Sequence, residues 1–222
     1  MLKSFTTDAL AIATTAKALA EELHYTKAGR EHLLLTFASG AGGDLIRSAF
    51  ERCGLTAAAV RSAIKPIDSS DRPVRHHHVK YVHQLQEEDQ PYVEGLMALI
   101  ENQLFSYLTS NADQVFKMAR NECVENDVAV EDVLRIFLRE LGRSDDDSPV
   151  LQVIKQAAPK LTLGDIKSAV VESLDVEIAR LEDIHGKVIV VDSSTLTEPQ
   201  QAIIRLKRVR HDFMYTGQMQ RA

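Results

Sequence analysis

Apolar residues recur at intervals of three and four along most of this chain, a spacing that predicts helices. From Asp8 to Leu23 the positions Ala9, Ile12, Ala13, Ala16, Leu19, Ala20 and Leu23 form one stripe, with Asp8 or Thr7 as its cap. Its many alanines allow close helix approach, which places it at the centre of the fold. A second helix is expected over Glu31–Ala38, ended by Ser39-Gly40-Ala41-Gly42-Gly43, a run that no helix crosses without loss. A third covers Asp44–Cys53, carrying Leu45, Ile46, Ala49 and Phe50, and stops at Gly54. A fourth starts at a Thr56 cap and runs through Val60, Ala63 and Ile64 to Pro66.

The order then returns. Ala112, Val115, Phe116, Ala119 and Cys123 stand 103 residues after Ala9, Ile12, Ala13, Ala16 and Ala20, and Glu131 opens an apolar helix 100 residues after Glu31. Leu151, Leu161, Thr162, Ile166, Ala169 and Val170 echo Leu45, Leu55, Thr56, Val60, Ala63 and Ile64 at an offset of 106. The shifts fall in loops, the later one at the acidic Ser144-Asp145-Asp146-Asp147-Ser148-Pro149, and changes confined to loops are what a structural repeat tolerates. The expected fold is mainly α: a duplicated four-helix repeat forming a pseudo-twofold eight-helix bundle over residues 1–171. Repeat 1 is 1–64, a linker with an inserted helix is 65–107, and repeat 2 is 108–171.

Two stretches lie outside that scheme. Within 65–107, Asp89 is read as the cap and Pro91 as an early residue of a helix carrying Val93, Leu96, Met97, Ile100 and Leu104 on one face. A C-terminal α/β extension, 172–222, holds a helix from Leu174 to Ile184 and a strand over Lys187–Asp192. It ends in a helix that starts at Thr197-Glu198-Pro199 and shows Ile203, Leu206, Val209 and Phe213 on one side. A lone strand has open edges, and that apolar side needs cover. Together they point either to packing back on the repeats or to a homodimer formed through the tail.

Charge and cysteine content narrow the classes. Lys and Arg total 26 against 32 Asp and Glu, a net charge of −6 that disfavours polyanions, so protein partners are expected and nucleic acid is not. Two cysteines, Cys53 and Cys123, read as small buried hydrophobes, cannot make a disulfide framework or a four-ligand zinc site, and fit a reducing cytoplasm. No apolar run reaches the roughly 18 residues of a membrane span, so no membrane association is expected. No Gly-x-x-x-x-Gly-Lys-Ser/Thr loop, Gly-x-Ser-x-Gly, His-Glu-x-x-His or Cys-x-x-Cys occurs. A nucleotide motor is absent, and the chain is read as no enzyme and as needing no cofactor or metal. His76-His77-His78 with His83 lies in a basic loop and is read as solvated linker, with a transition-metal site as the alternative.

Phe5-Thr6, Ala9, Ile12, Ala16, Leu23 and Glu31-His32-Leu33-Leu34-Leu35, continued by Cys53-Gly54-Leu55 and Val60-Arg61, resemble the first repeat of the Clp N-terminal domain. Leu108-Thr109, Val115, Ala119, Val128 and Val133-Leu134 are similar to the second repeat, nearest to the ClpA branch. The resemblance covers residues 1 to 171 and implies a module without chemistry of its own that binds adaptors or substrate polypeptides for a Clp-type AAA+ unfoldase or protease. It implies binding residues at Thr6, Glu31 and Glu131, because matching positions in the ClpC branch hold the guanidinium of phosphorylated arginine. The threonine usual before the first glutamate is Arg30 here and Val130 before the second, a departure that bears on that specificity. From position alone, a glutamate at a helix start is explained first by the helix dipole, worth about 0.3–1 kcal/mol, with a symmetric acidic binding pair as the alternative. A second reading makes the chain a structural or regulatory subunit that assembles through the inserted helix and the tail. A third is a hydrolase whose site matches no short motif.

Overall fold

The computed structural model describes residues 4–65, 99, 101–123, 127–187 and 197–215, and it is mainly α-helical. Thr6, not Asp8 or Thr7, caps the first helix, α1 (Thr7–Glu22), accepting the Ala9 N–H at 3.2 Å. The cause lies outside the helix. Ser4–Phe5 (β1) pairs in parallel with Asp127–Val128 (β2), and the Thr6 N–H donates to the Val128 carbonyl at 3.0 Å. Residue 6 is thereby held extended, as a capping residue must be. Arg30–Ala38 (α2), Asp44–Arg52 (α3) and Ala57–Ala63 (α4) follow, with Thr56 capping α4 through the Ala59 N–H. Gly43, before α3, and Gly54, after it, have φ of 95° and 77°, a region L side chains resist.

A helical stretch over residues 101–105 (α5) precedes Ser110–Glu122 (α6), whose cap is Thr109. After β2 come Val130–Leu141 (α7) and Pro149–Ala157 (α8), the latter capped by Ser148 with proline in its first turn. Leu163–His185 (α9) opens on a reciprocal cap: Thr162 Oγ1 accepts the Asp165 N–H, and Asp165 Oδ2 accepts the Thr162 N–H. The helix expected separately over Leu174–Ile184 is the second half of α9. Ile166, Ala169, Val170, Ser173, Leu174 and Ile178 make one buried stripe that passes residue 171 without a break. Glu198–Tyr215 forms α10.

The centre belongs to α2 and α7 rather than to the alanine-rich α1, which keeps an exposed side. Every residue from His32 to Ala38 is buried, as in a helix covered all round. Phe37 of α2 meets Phe137 of α7 with ring centroids 5.3 Å apart, both fully buried. α1 packs on α2, and α6 on α7. Across the middle, α3 packs on α9 and α4 on α8, so elements of each half find partners in the other. Arg52, closing α3, donates to the Ala169 carbonyl and the Ser173 hydroxyl of α9, both at 2.6 Å. A second parallel bridge joins Ala28 to Leu108, and the Thr109 N–H donates to the Ala28 carbonyl at 2.9 Å. The segment before α1 is thus paired to the one before α7, and the segment before α6 to the one before α2.

The apolar side of α10 is covered from within the chain. Ile203, Leu206, Val209 and Phe213 are buried where α10 packs on α9 and α7. The helix expected around Pro91–Leu104 lies outside the described residues except for its end, as do the strand expected over Lys187–Asp192, apart from Lys187, and the histidines at 76–78 and 83. Among the described residues, no helix is long and apolar enough to cross a membrane.

Replacing Thr6 or Thr109 by alanine is expected to cost about 1 kcal/mol each in urea unfolding, the usual loss of a capping hydroxyl. A double-mutant cycle with Phe37→Leu and Phe137→Leu should return a coupling of about 0.5–1.5 kcal/mol, as for a buried aromatic pair. Strictly additive losses would mean that the two rings do not hold the halves together.

Candidate functional site

The residues Thr6, Glu31 and Glu131 do not form one cluster. Thr6 and Glu131 share an edge: Thr6 is bonded to Val128 of β2, and Asp8, in the first turn of α1, is one of the charges acting on Glu131. Glu31 opens α2 at the other edge, beside the Ala28–Leu108 bridge, where Thr109 occupies the place that Thr6 has at the first. Thr109, which in the sequence carries part of the second-repeat resemblance but is not among the expected binding residues, stands 103 residues after Thr6 and before an alanine stripe.

Each glutamate is the second residue of its helix, and the third residue caps the chain behind it. At α2 the Gly29 N–H donates to Nδ1 of buried His32 at 3.1 Å; at α7 the Ala129 N–H donates to Oδ2 of buried Asp132 at 3.1 Å. The Glu31 carboxylate folds back toward Gly29, where an added Cβ would fall 2.3 Å from Oε1. The same Nδ1 of His32 lies 3.1 Å from Glu31 Oε1. One ring nitrogen cannot accept from Gly29 and donate to Glu31 at once, so a proton on Nδ1 exchanges the first bond for the second. The thiol of buried Cys123 reaches Asp132 Oδ2 at 3.6 Å, while half-buried Cys53 has its thiol pushed up by burial.

The two glutamates differ in charge environment. Burial raises Glu31, but the His32 ring when Nδ1 carries the proton, its own backbone N–H and nearby Arg30 hold it below the usual carboxylate range. Burial pushes Glu131 above that range; Asp132 and Asp8 add to the rise, against its own backbone N–H and the guanidinium of Arg205 on α10. Arg205 of α10 is therefore near one edge.

Beside β1, a cavity of about 260 Å³ is lined by Phe5, Phe105, Phe116, Asp113, Lys117 and Arg120. Arg120 is ion-paired to buried Glu101 and lies over the Phe5 ring, 4.5 Å from its centroid. Three aromatic walls with mixed charges suit an apolar side chain better than a reacting group. Among the described residues no group of three His, Cys, Asp or Glu side chains could hold a metal ion. With carboxylates turned onto helix N-termini, the two edges can hold cationic groups. Comparison with known proteins finds no matching family model and no matching curated sequence.

A carboxyl raised by folding favours the folded state fully below its unfolded value, about 4.5, and loses that contribution as pH rises through the folded value. Glu131→Gln should therefore raise the melting temperature at pH 7. Glu31 has the opposite sign: its contribution is present above the unfolded value and is lost as pH falls through the folded one. Glu31→Gln should lower the melting temperature at pH 7, and calorimetry on both variants at pH 4 and pH 7 checks the contrast.

Proposed function

We propose that the chain is a duplicated Clp N-domain-like module, with residues 1–64 and 108–171 as its copies. In this reading it performs no chemistry and binds adaptors or substrate polypeptides for a Clp-type unfoldase or protease. The observation that carries the duplication is reciprocity. β1 pairs before α7 while Leu108 pairs before α2; α3 packs on α9 while α4 packs on α8; Thr6 and Thr109, Thr56 and Thr162, and His32 and Asp132 cap in matching positions. Such exchanges support a reading of two similar units related by an approximate twofold axis, with the Phe37–Phe137 contact between them. Binding is favoured over catalysis by the same edges: each presents a threonine cap and a glutamate at a helix start, a pattern suited to cationic side chains of an extended polypeptide. The cytoplasm is the compartment this reading implies.

A second reading, a structural subunit that assembles with itself, is favoured by one observation. Val176 and Ile184 on α9 and Met214 on α10 stand 68%, 58% and 47% exposed, large apolar groups close to the tail. Light scattering separates it from the first: a stable dimer that Val176→Ser and Ile184→Ser convert to monomer would favour assembly.

The binding reading is tested with an unfolded, arginine-rich polypeptide applied to the immobilised chain. The Glu31→Gln and Glu131→Gln double variant should retain it at least several-fold more weakly, with its circular dichroism unchanged. Equal retention would assign both glutamates to helix capping alone.

A further inference from the structure

Buried His32 stands between two groups that it cannot serve together. Its Nδ1 lies 3.1 Å from the Gly29 amide nitrogen and 3.1 Å from Glu31 Oε1, and its Nε2 is buried without a hydrogen-bond partner. The polar hold on the ring is therefore through Nδ1 alone. Tyr25 packs edge-on against the imidazole, with ring centroids 4.6 Å apart, and its hydroxyl donates to the Lys65 carbonyl at 2.7 Å. Among the described residues, Glu31 is the one carboxylate within ion-pair distance of His32. Charged groups on the helices packed against α2 are paired elsewhere: Lys17 of α1 with Glu21, Glu22 of α1 with Arg61 of α4, Asp44 of α3 with Arg47, Asp113 of α6 with Lys117, and Lys155 of α8 with Asp146. Arg30 turns its guanidinium to the Glu140 carbonyl at 3.3 Å. The Glu31 side chain keeps 15% of its surface exposed, so a ligand can reach the carboxylate that the imidazole also reaches.

We propose that His32 makes the Glu31 edge an exchanger of a proton for a cationic ligand: a guanidinium or ammonium group is held there when the imidazole is neutral and released when it is charged. The proposal rests on the reading of the two edges as sites for cationic side chains, and it names the regulation of one of them. The Gly29 bond selects the neutral tautomer with its proton on Nε2. In that form Nδ1 accepts the Gly29 N–H, closes the start of α2 and leaves the Glu31 carboxylate to a ligand. A proton on Nδ1 turns the ring into an internal cation. Nδ1–H then donates to Glu31, and the Gly29 N–H loses its acceptor. A cation that binds the charged form therefore releases one proton to solvent, and acid opposes binding. An imidazole suits this exchange because it is the side chain that gains its charge between about pH 5 and 8. The Glu131 edge is built otherwise: Asp132 Oδ2 accepts the Ala129 N–H, and an ionised carboxylate has no proton to donate to Glu131. The two edges thus answer to different controls.

The test uses the Glu131→Gln full chain, which leaves one acidic edge, and an arginine-rich synthetic peptide whose own charge does not change with pH. From about pH 8 down to about pH 5.5, Glu31, held below the usual carboxylate range, stays ionised while an imidazole takes up its proton. Affinity should fall by up to about tenfold per pH unit once His32 is charged, the slope for one exchanged proton. Calorimetry in two buffers of different ionisation enthalpy should show that proton released. The added variant His32→Asn keeps an acceptor for the Gly29 N–H but takes up no proton, and its affinity should stay level across the range. Peptide that is retained with the same affinity at every pH, or a His32→Asn chain whose affinity falls as steeply, overturns the exchange and leaves the binding reading standing. Peptide retained at no pH would instead sink the binding reading. Nuclear magnetic resonance on wild type without peptide reads the switch itself, whatever the variants do. The His32 ring and the Gly29 amide should titrate together; a Gly29 amide that stays fixed while His32 titrates, or a His32 ring that takes up no proton down to about pH 5, overturns the proposal.

Discussion

The contact between Phe37 and Phe137 is the constraint on which the remaining packing depends. Two helices that meet through fully buried aromatic rings, Phe37 in the last turn of α2 and Phe137 in the second half of α7, must be covered on their other sides, and the surrounding helices do that work. α2 leaves no exposed residue from His32 to Ala38, and α7 buries Val130, Asp132, Val133, Leu134, Ile136, Phe137, Leu138 and Leu141. The small residues of α1 let it sit close on α2, but they make it part of the coat. Alanine spacing signals close approach, and only burial all round signals the centre.

The two edges show how the same residue in the same helical position acquires a different character. Glu31 and Glu131 both follow a short strand pairing and both point back on a helix start. Hydrogen bonds and basic neighbours outweigh burial at the first, while at the second burial, with Asp132 and Asp8, outweighs the backbone N–H and Arg205. The caps behind them differ in kind as well, an imidazole at one and a carboxylate at the other, although each satisfies the same backbone N–H. Backbone geometry is shared between the edges, and their electrostatics are not.

Helix positions were legible in the sequence because each carries its own local signal: apolar spacing, a threonine start, or a glycine stop as at Gly54. The cap of α1 was not, because Thr6 is chosen by a hydrogen bond to Val128, and two-residue parallel strands leave no alternating pattern to read. The division of α9 near residue 171 came from matching it to the shorter α4; nothing between Val171 and Leu174 interrupts a helix. The apolar side of α10 was visible from Ile203, Leu206, Val209 and Phe213, while what covers it depends on α7 and α9, which a single face cannot specify. Of the candidate site, Glu31 and Glu131 stood out by position. That Thr6 belongs with Glu131, and Thr109 with the other edge, is a property of strand exchange.

That exchange also governs the order in which the chain can be completed during synthesis. Phe5 must wait for Val128, Arg52 for Ser173, and α4 for α8, so the first four helices leave the ribosome with their long-range partners still unmade. Contacts so distant in sequence slow folding and prolong the exposure of apolar surface. A nascent chain stopped between α4 and α6 would leave the Phe37 side of α2 without its Phe137 cover until the second half arrives.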